Sequence, residues 1–175
     1  AVRFAREARA AAKIKSEHVA RVSDVGTLEN GSPYMVMEFL EGSDLGKVVH
    51  ERGVLDLGDA VDYVIQACEA IAEAHNQSII HRDVKPANLF LSKRSNGTPI
   101  VKVLDFGISK TVSAAMDDLT KTTAGMGSAF FMSPEQMRQA RTVDHRTDIY
   151  ALGVSLYYLM AGRYPFVGET LPQLC

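Results

Sequence analysis

The segment His81-Arg82-Asp83-Val84-Lys85-Pro86-Ala87-Asn88 is the most informative part of this sequence. It places an acid, a cation and a carboxamide close together, and Pro86 excludes a regular helix there because its ring removes a backbone donor. An aspartate five residues before an asparagine suits a general base that stands beside a metal ligand. The pattern therefore predicts a loop that carries chemistry.

Two further motifs follow this segment in order. Asp105-Phe106-Gly107 comes seventeen residues after Asn88, directly behind a valine-rich segment. An aspartate at a strand end can offer its carboxylate to a hard cation such as Mg²⁺. Pro134-Glu135 comes later in the chain. Each short motif alone could arise by chance, but their occurrence together, with a hairpin between the first two, makes chance a poor explanation.

The composition fits one domain-sized globular unit. The 175 residues are 46% hydrophobic and 23% charged, which excludes disorder as the main state. A net charge of -2 gives no indication of nucleic acid or of an anionic membrane surface as a partner. Two cysteines cannot form a disulfide framework, so we expect a reducing, cytoplasmic location. The most apolar segment, 149–162, is too short to span a membrane.

Apolar periodicity and turn signals predict the regular elements. Helices are expected at 1–15, 57–75 and 147–161, strands at 19–28, 34–39, 89–92 and 100–104, and a long loop at 108–133. Asn30-Gly31 is a strong hairpin signal between the first two strands. Cys68 falls on the apolar stripe of the second helix, together with Leu57 and Ile65, so a buried structural thiol is expected.

With these motifs in this order, the sequence resembles the eukaryotic-type protein kinase domain, particularly that of bacterial serine/threonine kinases, over essentially all 175 residues. The resemblance implies an α+β, two-lobed fold. Residues 1–40 would be a small-lobe remnant with helix C and strands 4 and 5. Residues 41–175 would be a partial large lobe with the catalytic loop, the activation segment and helix F. It implies a signalling enzyme that uses ATP and Mg²⁺ to phosphorylate Ser or Thr hydroxyls of proteins.

The same resemblance assigns roles to the catalytic residues. Asp83 would orient the acceptor hydroxyl and take its proton, and Lys85 would neutralise the γ-phosphate. Asn88 and Asp105 would hold Mg²⁺ ions. The position of Lys85, two residues after the catalytic aspartate, resembles the pattern of serine/threonine kinases rather than that of tyrosine kinases.

The resemblance also implies a nucleotide site. Met37 would be the gatekeeper, and the backbone of Glu38 and Leu40 would hydrogen-bond adenine. Asp44 would meet the ribose, and Phe90 would pack under the adenine ring.

Further residues would support this machinery. Glu7 matches the helix-C glutamate that pairs with a lysine on strand 3. Asp148 matches the buried helix-F aspartate that hydrogen-bonds the catalytic-loop backbone. His81 and Phe106 would stack in the adjoining hydrophobic column, and Gly153 would permit close helix packing.

Regulation is implied by residues of the activation segment. Arg82 precedes the catalytic aspartate, as in kinases controlled by activation-loop phosphorylation, and Thr120 and Thr122 resemble autophosphorylated positions. Phosphate there would pair with Arg82. Ser128, in place of the family's usual threonine, would bridge the catalytic aspartate and lysine.

The sequence departs from the pattern at both ends. No glycine-rich phosphate loop or strand-3 lysine precedes the matched region, and the last large-lobe helices are missing. We therefore expect a fragment that is inactive by itself, from a parent that could be membrane-anchored elsewhere. Two alternatives remain. One is a pseudokinase that binds partners without catalysis, although the catalytic groups are retained. The other is a small-molecule kinase, which generally lacks the lysine equivalent to Lys85 and the Pro134-Glu135 segment.

Overall fold

The computed structural model describes residues 11–106, 127–139, 143–168 and 171–174. The elements in chain order are β1 Val22–Thr27, β2 Pro33–Met37, β3 Ser43–Asp44, α1 Leu45–Arg52, α2 Leu57–Asn76, a 3-10 turn Pro86–Asn88, β4 Leu89–Lys93, β5 Pro99–Val103, α3 Pro134–Gln139, α4 Arg146–Ala161 and α5 Leu171–Leu174. The mixture of strands and helices confirms the α+β class. Residues 1–10 of the predicted helix at 1–15 and most of the predicted loop at 108–133 lie outside the described residues. Residues 12–15 are described and are not helical, so the prediction is wrong for that part of the helix.

The first two strands form the antiparallel hairpin that the sequence predicts, with Val22 opposite Met37 and Thr27 opposite Pro33. At the tip, the N–H of Gly31 donates to the carbonyl of Leu28 at 2.9 Å. Gly31 has φ +83°, which a glycine adopts without steric cost.

The hairpin begins later than predicted, because residues 18–20 pair elsewhere. Val19 forms a parallel bridge with Val103, and the N–H of Val103 donates to the carbonyl of His18 at 2.8 Å. The N–H of Ala20 donates to the carbonyl of Val103 at 3.1 Å. This connection ties the hairpin to β5.

A second sheet has the order β3-β4-β5, all antiparallel. Asp44 lies opposite Phe90, and Leu91 lies opposite Val101. The β4–β5 pair confirms the predicted strands at 89–92 and 100–104 to within a residue or two. Because β4 follows the 3-10 turn directly and its first residue, Leu89, lies opposite Val103, the segment 81–88 is placed beside the end of β5.

Helix α2 packs against α4 and β5. The buried residues on α2 are Ala60, Tyr63, Val64, Gln66, Ala67, Ala70, Ile71 and Ala74. The predicted stripe is therefore wrong in part: Leu57 is 67% exposed, Ile65 is 53% exposed, and Cys68 is exposed rather than a buried thiol. Four of the eight buried residues are alanines, which allow the neighbouring backbones to approach closely.

Helix α4 confirms the prediction at 147–161 and ends at Gly162, whose N–H donates to the carbonyl of Tyr158 at 2.9 Å with φ +65°. Among the described residues, no heavy atom lies within 4 Å of a Cβ built at Gly153, so the expectation that Gly153 permits close helix packing is wrong there. Across the described ranges, no helix combines the length and the apolar character that crossing a membrane requires.

Candidate active site

Asp148, in the first turn of α4, fixes the start of the segment 81–88. It is 1% exposed, and its carboxylate accepts hydrogen bonds from the backbone N–H of His81 at 2.9 Å and of Arg82 at 2.8 Å. The Nε2 atom of His75 lies 2.8 Å from the same carboxylate. These partners offset the cost of removing the carboxylate from water. The predicted contact between Asp148 and the loop backbone is confirmed. His75 lies near the end of the predicted helix at 57–75, and its contact with Asp148 was not predicted.

Arg82 adopts a left-handed backbone conformation that residues other than glycine rarely adopt. Its φ is +65°, a strain of about 1–3 kcal/mol that persists only when surrounding contacts enforce it. The bond to Asp148 supplies one such contact, and the Nε2 of Gln136 donates to the carbonyl of Arg82 at 2.7 Å on the other side. Within the described ranges, the buried Nε of Arg82 has no hydrogen-bond partner.

The side chain of His81 is fully buried and links the loop to the segment after β5. Its Nε2 lies 2.8 Å from the carbonyl of Leu104, and its Nδ1 accepts the N–H of Asp83 at 3.2 Å. These partners require a proton on Nε2 and a lone pair on Nδ1, so the ring is neutral. Burial lowers the pKa of His81, against the opposing effect of Asp148. The ring also packs on Phe106 with centroids 4.8 Å apart, which confirms the predicted stacking.

Asp83, Lys85 and Ser128 form a connected group. The Nζ of Lys85 lies 3.0 Å from Oδ2 of Asp83 and 3.0 Å from Oγ of Ser128. The side chains of Asp83 and Lys85 are only 17% and 18% exposed, so their attraction is weakly screened by water. Ser128 thus reaches the pair through the lysine, and the contact expected for its hydroxyl with Lys85 is present.

Asn88 is oriented by the same aspartate. Its Nδ2 donates to the carbonyl of Asp83 at 2.7 Å and to Oδ2 of Asp83 at 3.2 Å, so Oδ1 is the atom available to a cation. The N–H of Leu104 donates to the carbonyl of Asn88 at 2.9 Å. This bond brings the following residue, the exposed Asp105, to the same end of β5. Asp105 has φ +54°.

A buried polar chain that the sequence did not predict connects α3 and α4 to the loop. The hydroxyls of Ser133 and Thr147 lie 2.8 Å apart, and that of Thr147 donates to Oε1 of Gln136 at 2.7 Å. Gln136 continues the chain to the carbonyl of Arg82. The only sequence signal is that Ser133 and Gln136 flank Pro134-Glu135; Glu135 itself is exposed.

The protein kinase domain profile matches residues 2–173 of this chain. The chain belongs to the protein kinase family. This protein kinase domain is 41% identical over 172 residues to the serine/threonine-protein kinase PknB of Mycolicibacterium smegmatis, which covers 97% of the chain and 27% of that protein. It is also 41% identical over 170 residues to the serine/threonine-protein kinase pkn3 of Myxococcus xanthus, covering 96% of the chain and 31% of that protein. The chain thus spans about a third or less of these relatives.

Solved kinase structures show the same fold. The PknI kinase domain of Mycobacterium tuberculosis, as a double mutant, superposes with a TM-score of 0.74 at 27% identity, covering 95% of this chain and 59% of that chain. Rad53 1-466 in complex with AMP-PNP gives a TM-score of 0.78 at 26% identity, covering 99% of this chain and 42% of that chain. The predicted two-lobed kinase fold is confirmed as a fold.

Glu38 and Leu40, which are expected at the kinase nucleotide site, lie on the connection between the two sheets. The backbone N–H of Glu38 donates to the carbonyl of Arg21 at 2.9 Å, and its side chain pairs with Lys102 at 2.7 Å. Burial opposes ionisation of Glu38, but Lys102 and the N–H of Arg21 lower its pKa overall. Leu40 is half-buried. The Glu38–Lys102 pair was not predicted, because it joins residues 64 positions apart.

Asp44 and Phe90 face each other across β3 and β4. Asp44 caps α1, since its Oδ1 accepts the N–H of Lys47 at 2.9 Å. Its predicted ribose contact stays a prediction. Glu7, Thr120 and Thr122 lie outside the described residues, so their predicted roles stay predictions as well.

Proposed function

We propose that the protein containing this domain transfers the γ-phosphoryl group of ATP to Ser or Thr hydroxyls of other proteins. The observation that supports this best is the connected group of Asp83, Lys85 and Ser128, in which a carboxylate, an ammonium and a hydroxyl meet in a largely buried place. Phosphoryl transfer depends mainly on positioning and on charge stabilisation, and these groups supply both.

In this proposal, Asp83 accepts the proton of the acceptor hydroxyl as its oxygen bonds to the γ-phosphorus. The bond from that phosphorus to the bridging oxygen breaks, and ADP leaves. Lys85 neutralises charge on the transferred group. Its hydrogen bond to Ser128 ties the activation segment to the reacting centre.

The donor atoms of Asn88 and Asp105 fit a magnesium ion. Both offer hard oxygen ligands, and the Nδ2 contacts of Asn88 direct its Oδ1 away from Asp83. The described ranges contain no cluster of three or more His, Cys, Asp or Glu side chains able to hold a metal. Mg²⁺ commonly binds through one or two protein oxygens plus phosphates, so two ligands suffice. When bound, the ion neutralises phosphate charge.

Arg82 suits a regulatory role in the same proposal. Its buried Nε lacks a partner within the described residues, and a phosphate on Thr120 or Thr122 is a group that an arginine binds well. Mass spectrometry of the active full-length protein should find phosphate at one or both threonines. Full activity in the Thr120→Ala/Thr122→Ala double variant would contradict this switch.

We also propose protein substrates in the bacterial cytoplasm, where ATP is present and where an exposed free thiol such as Cys68 persists. The parent could be membrane-anchored through a segment outside this chain. The competing function is a pseudokinase scaffold, which would bind partners without turnover.

The deciding experiment compares Asp83→Asn with Asp59→Asn in the natural full-length protein. Asp59 is exposed at the start of α2, so its replacement makes the same chemical change away from the site. We expect Asp83→Asn to lower phosphoryl transfer by about 10²–10⁴-fold or more while ATP binding persists, and Asp59→Asn to keep activity. Nucleotide binding without any transfer by the unmodified protein would favour the scaffold.

A further inference from the structure

A cavity of about 320 Å³ lies directly beside the reacting group. Lys85 and Ser128 form part of its wall, so whatever enters it lies next to the acceptor hydroxyl of the proposed reaction. The volume is near the lower limit of about 300 Å³ for ligand pockets, which suits a side chain rather than a whole cofactor.

Three aromatic rings form one wall of this cavity, which we term the aromatic pocket. Phe131 comes from the segment before α3, Tyr158 from α4, and Tyr164 from the segment after it. Tyr158 and Tyr164 stack with centroids 5.2 Å apart, and Phe131 meets Tyr164 edge-on at 5.5 Å. Phe130 stacks on Tyr164 at 4.3 Å. Because each ring is held by another, the wall is formed before a ligand arrives.

The described lining of the pocket carries little charge. Among its described lining residues the only charged side chain is Lys85, and none is a carboxylate. Burial raises the pKa of Tyr164, so its phenol stays neutral at physiological pH. Gly46 and Ala87 line the pocket with little or no side chain. Among these described lining residues, an entering Arg or Lys would find no carboxylate to offset its lost hydration, and its charged neighbour would be Lys85, whose ammonium is already paired with Asp83.

We propose that the aromatic pocket binds a bulky apolar side chain of the acceptor protein, within a few residues of the phosphorylated Ser or Thr, and that it discriminates against Arg and Lys. The inference rests on the proposed function, because it names the substrate class of that site. Burial of an aromatic or large aliphatic side chain against three rings supplies the attraction.

The test uses the natural full-length protein and Ser-containing peptides in which each flanking position is varied among Phe, Leu, Ala, Glu and Arg. We expect one flanking position at which Phe or Leu exceeds Arg in kcat/KM by about tenfold or more. Equal rates for Phe and Arg at every position, or a preference for Arg, would overturn the proposal.

Two variants test whether the preference for Phe over Arg arises from the aromatic pocket. Tyr158→Glu places a carboxylate in the wall and should reduce the Phe-over-Arg ratio by about tenfold, whereas Tyr164→Ala should weaken it by removing a ring. Tyr157→Glu is the matched control: Tyr157 is the half-buried neighbour on α4 and does not line the pocket, so the ratio should stay unchanged. An unchanged ratio in both pocket variants would contradict the assignment.

A binding measurement separates this proposal from the proposed function. Fluorescent peptides with Ala in place of the acceptor Ser are titrated into the protein with a non-hydrolysable ATP analogue. Tighter binding of the Phe peptide than of the Arg peptide supports the pocket even if no phosphate is transferred, an outcome that would count only against catalysis. Equal binding of the two peptides would overturn the pocket, whatever the turnover.

Discussion

The catalytic loop at 81–88 and the hairpin of β1 and β2 are held in place in different ways. The loop contains only a three-residue 3-10 turn, yet two side chains more than fifty positions away, the buried Asp148 and the half-buried Gln136, bind its backbone. The hairpin is regular, but within the described residues its two strands form a sheet of their own, and Val36 is 46% exposed. Regular hydrogen bonding is therefore a poor measure of how firmly a segment is positioned; buried bonds from distant side chains are a better one.

The largest effect that this comparison predicts comes from Asp148→Ala. The change leaves the N–H groups of His81 and Arg82 without their buried acceptor, and it removes one of the contacts that hold Arg82 at positive φ. We expect a loss of about 3–5 kcal/mol in the free energy of unfolding, measured by denaturant titration, and loss of phosphoryl transfer.

Asp144→Ala provides the control for that variant. Asp144 pairs with Arg146 at the surface, where hydrogen bonds from Arg146 lower its pKa to about 2. Because this pair is exposed, we expect little change in stability or activity. If Asp144→Ala lost as much stability as Asp148→Ala, the buried bonds of Asp148 would not be what holds the loop at 81–88 in place.

A smaller effect is expected from Thr147→Val. The substitution keeps the shape of the side chain but removes the hydroxyl that joins Ser133 and Gln136. We expect a loss of about 1–3 kcal/mol in unfolding free energy, because buried polar partners are left unsatisfied. Thr27→Val in the exposed part of β1 makes the same chemical change and should be nearly neutral. If both variants lose equal stability, the buried polar chain does not stabilise the loop.

His81 makes the loop sensitive to acid. Its pKa is lowered in the folded protein, so the unfolded chain binds more protons in the range below about 6.5, and stability falls as the pH drops through that range. Denaturant midpoints measured at pH 7.5 and 5.5 should show this loss. His81→Gln can still donate to the carbonyl of Leu104 but cannot titrate, so its midpoint should depend less on pH. An undiminished pH dependence in His81→Gln would point to another group.

The smallest effect is expected in the hairpin. Gly31→Ala strains a residue at φ +83° without any clash, since a Cβ there meets nothing within 4 Å. The expected loss is about 1 kcal/mol, with activity retained. Gly97→Ala, at φ +85° in the β4–β5 turn and equally open, is the matched comparison. Loss of activity in Gly31→Ala alone would show that the hairpin tip positions the site more firmly than its contacts indicate.

The sequence was sufficient to predict the motif residues but not the distant residues that bind them. The hairpin at 22–37 and helix α4 could be anticipated from local turn chemistry and apolar periodicity, and the Asp148 contact from the resemblance to protein kinases. His75 and Gln136 could not, since a histidine on a helix or a glutamine beside a proline carries no signal of a carboxylate or carbonyl brought near by folding. The buried side of α2 was predicted only in part because half of its buried residues are alanines, and apolar periodicity gives alanine less weight than Leu57 and Ile65.

The parallel bridge between Val19 and Val103 has a mechanical consequence. Residues 18–20, which lead into the hairpin, are hydrogen-bonded to Val103, the last residue of β5. Asp105 follows Val103 by two residues. A rotation of the hairpin would therefore act on the end of the strand that Asp105 follows. A partner bound to the hairpin would in this way act on the position of Asp105 without contacting the loop at 81–88.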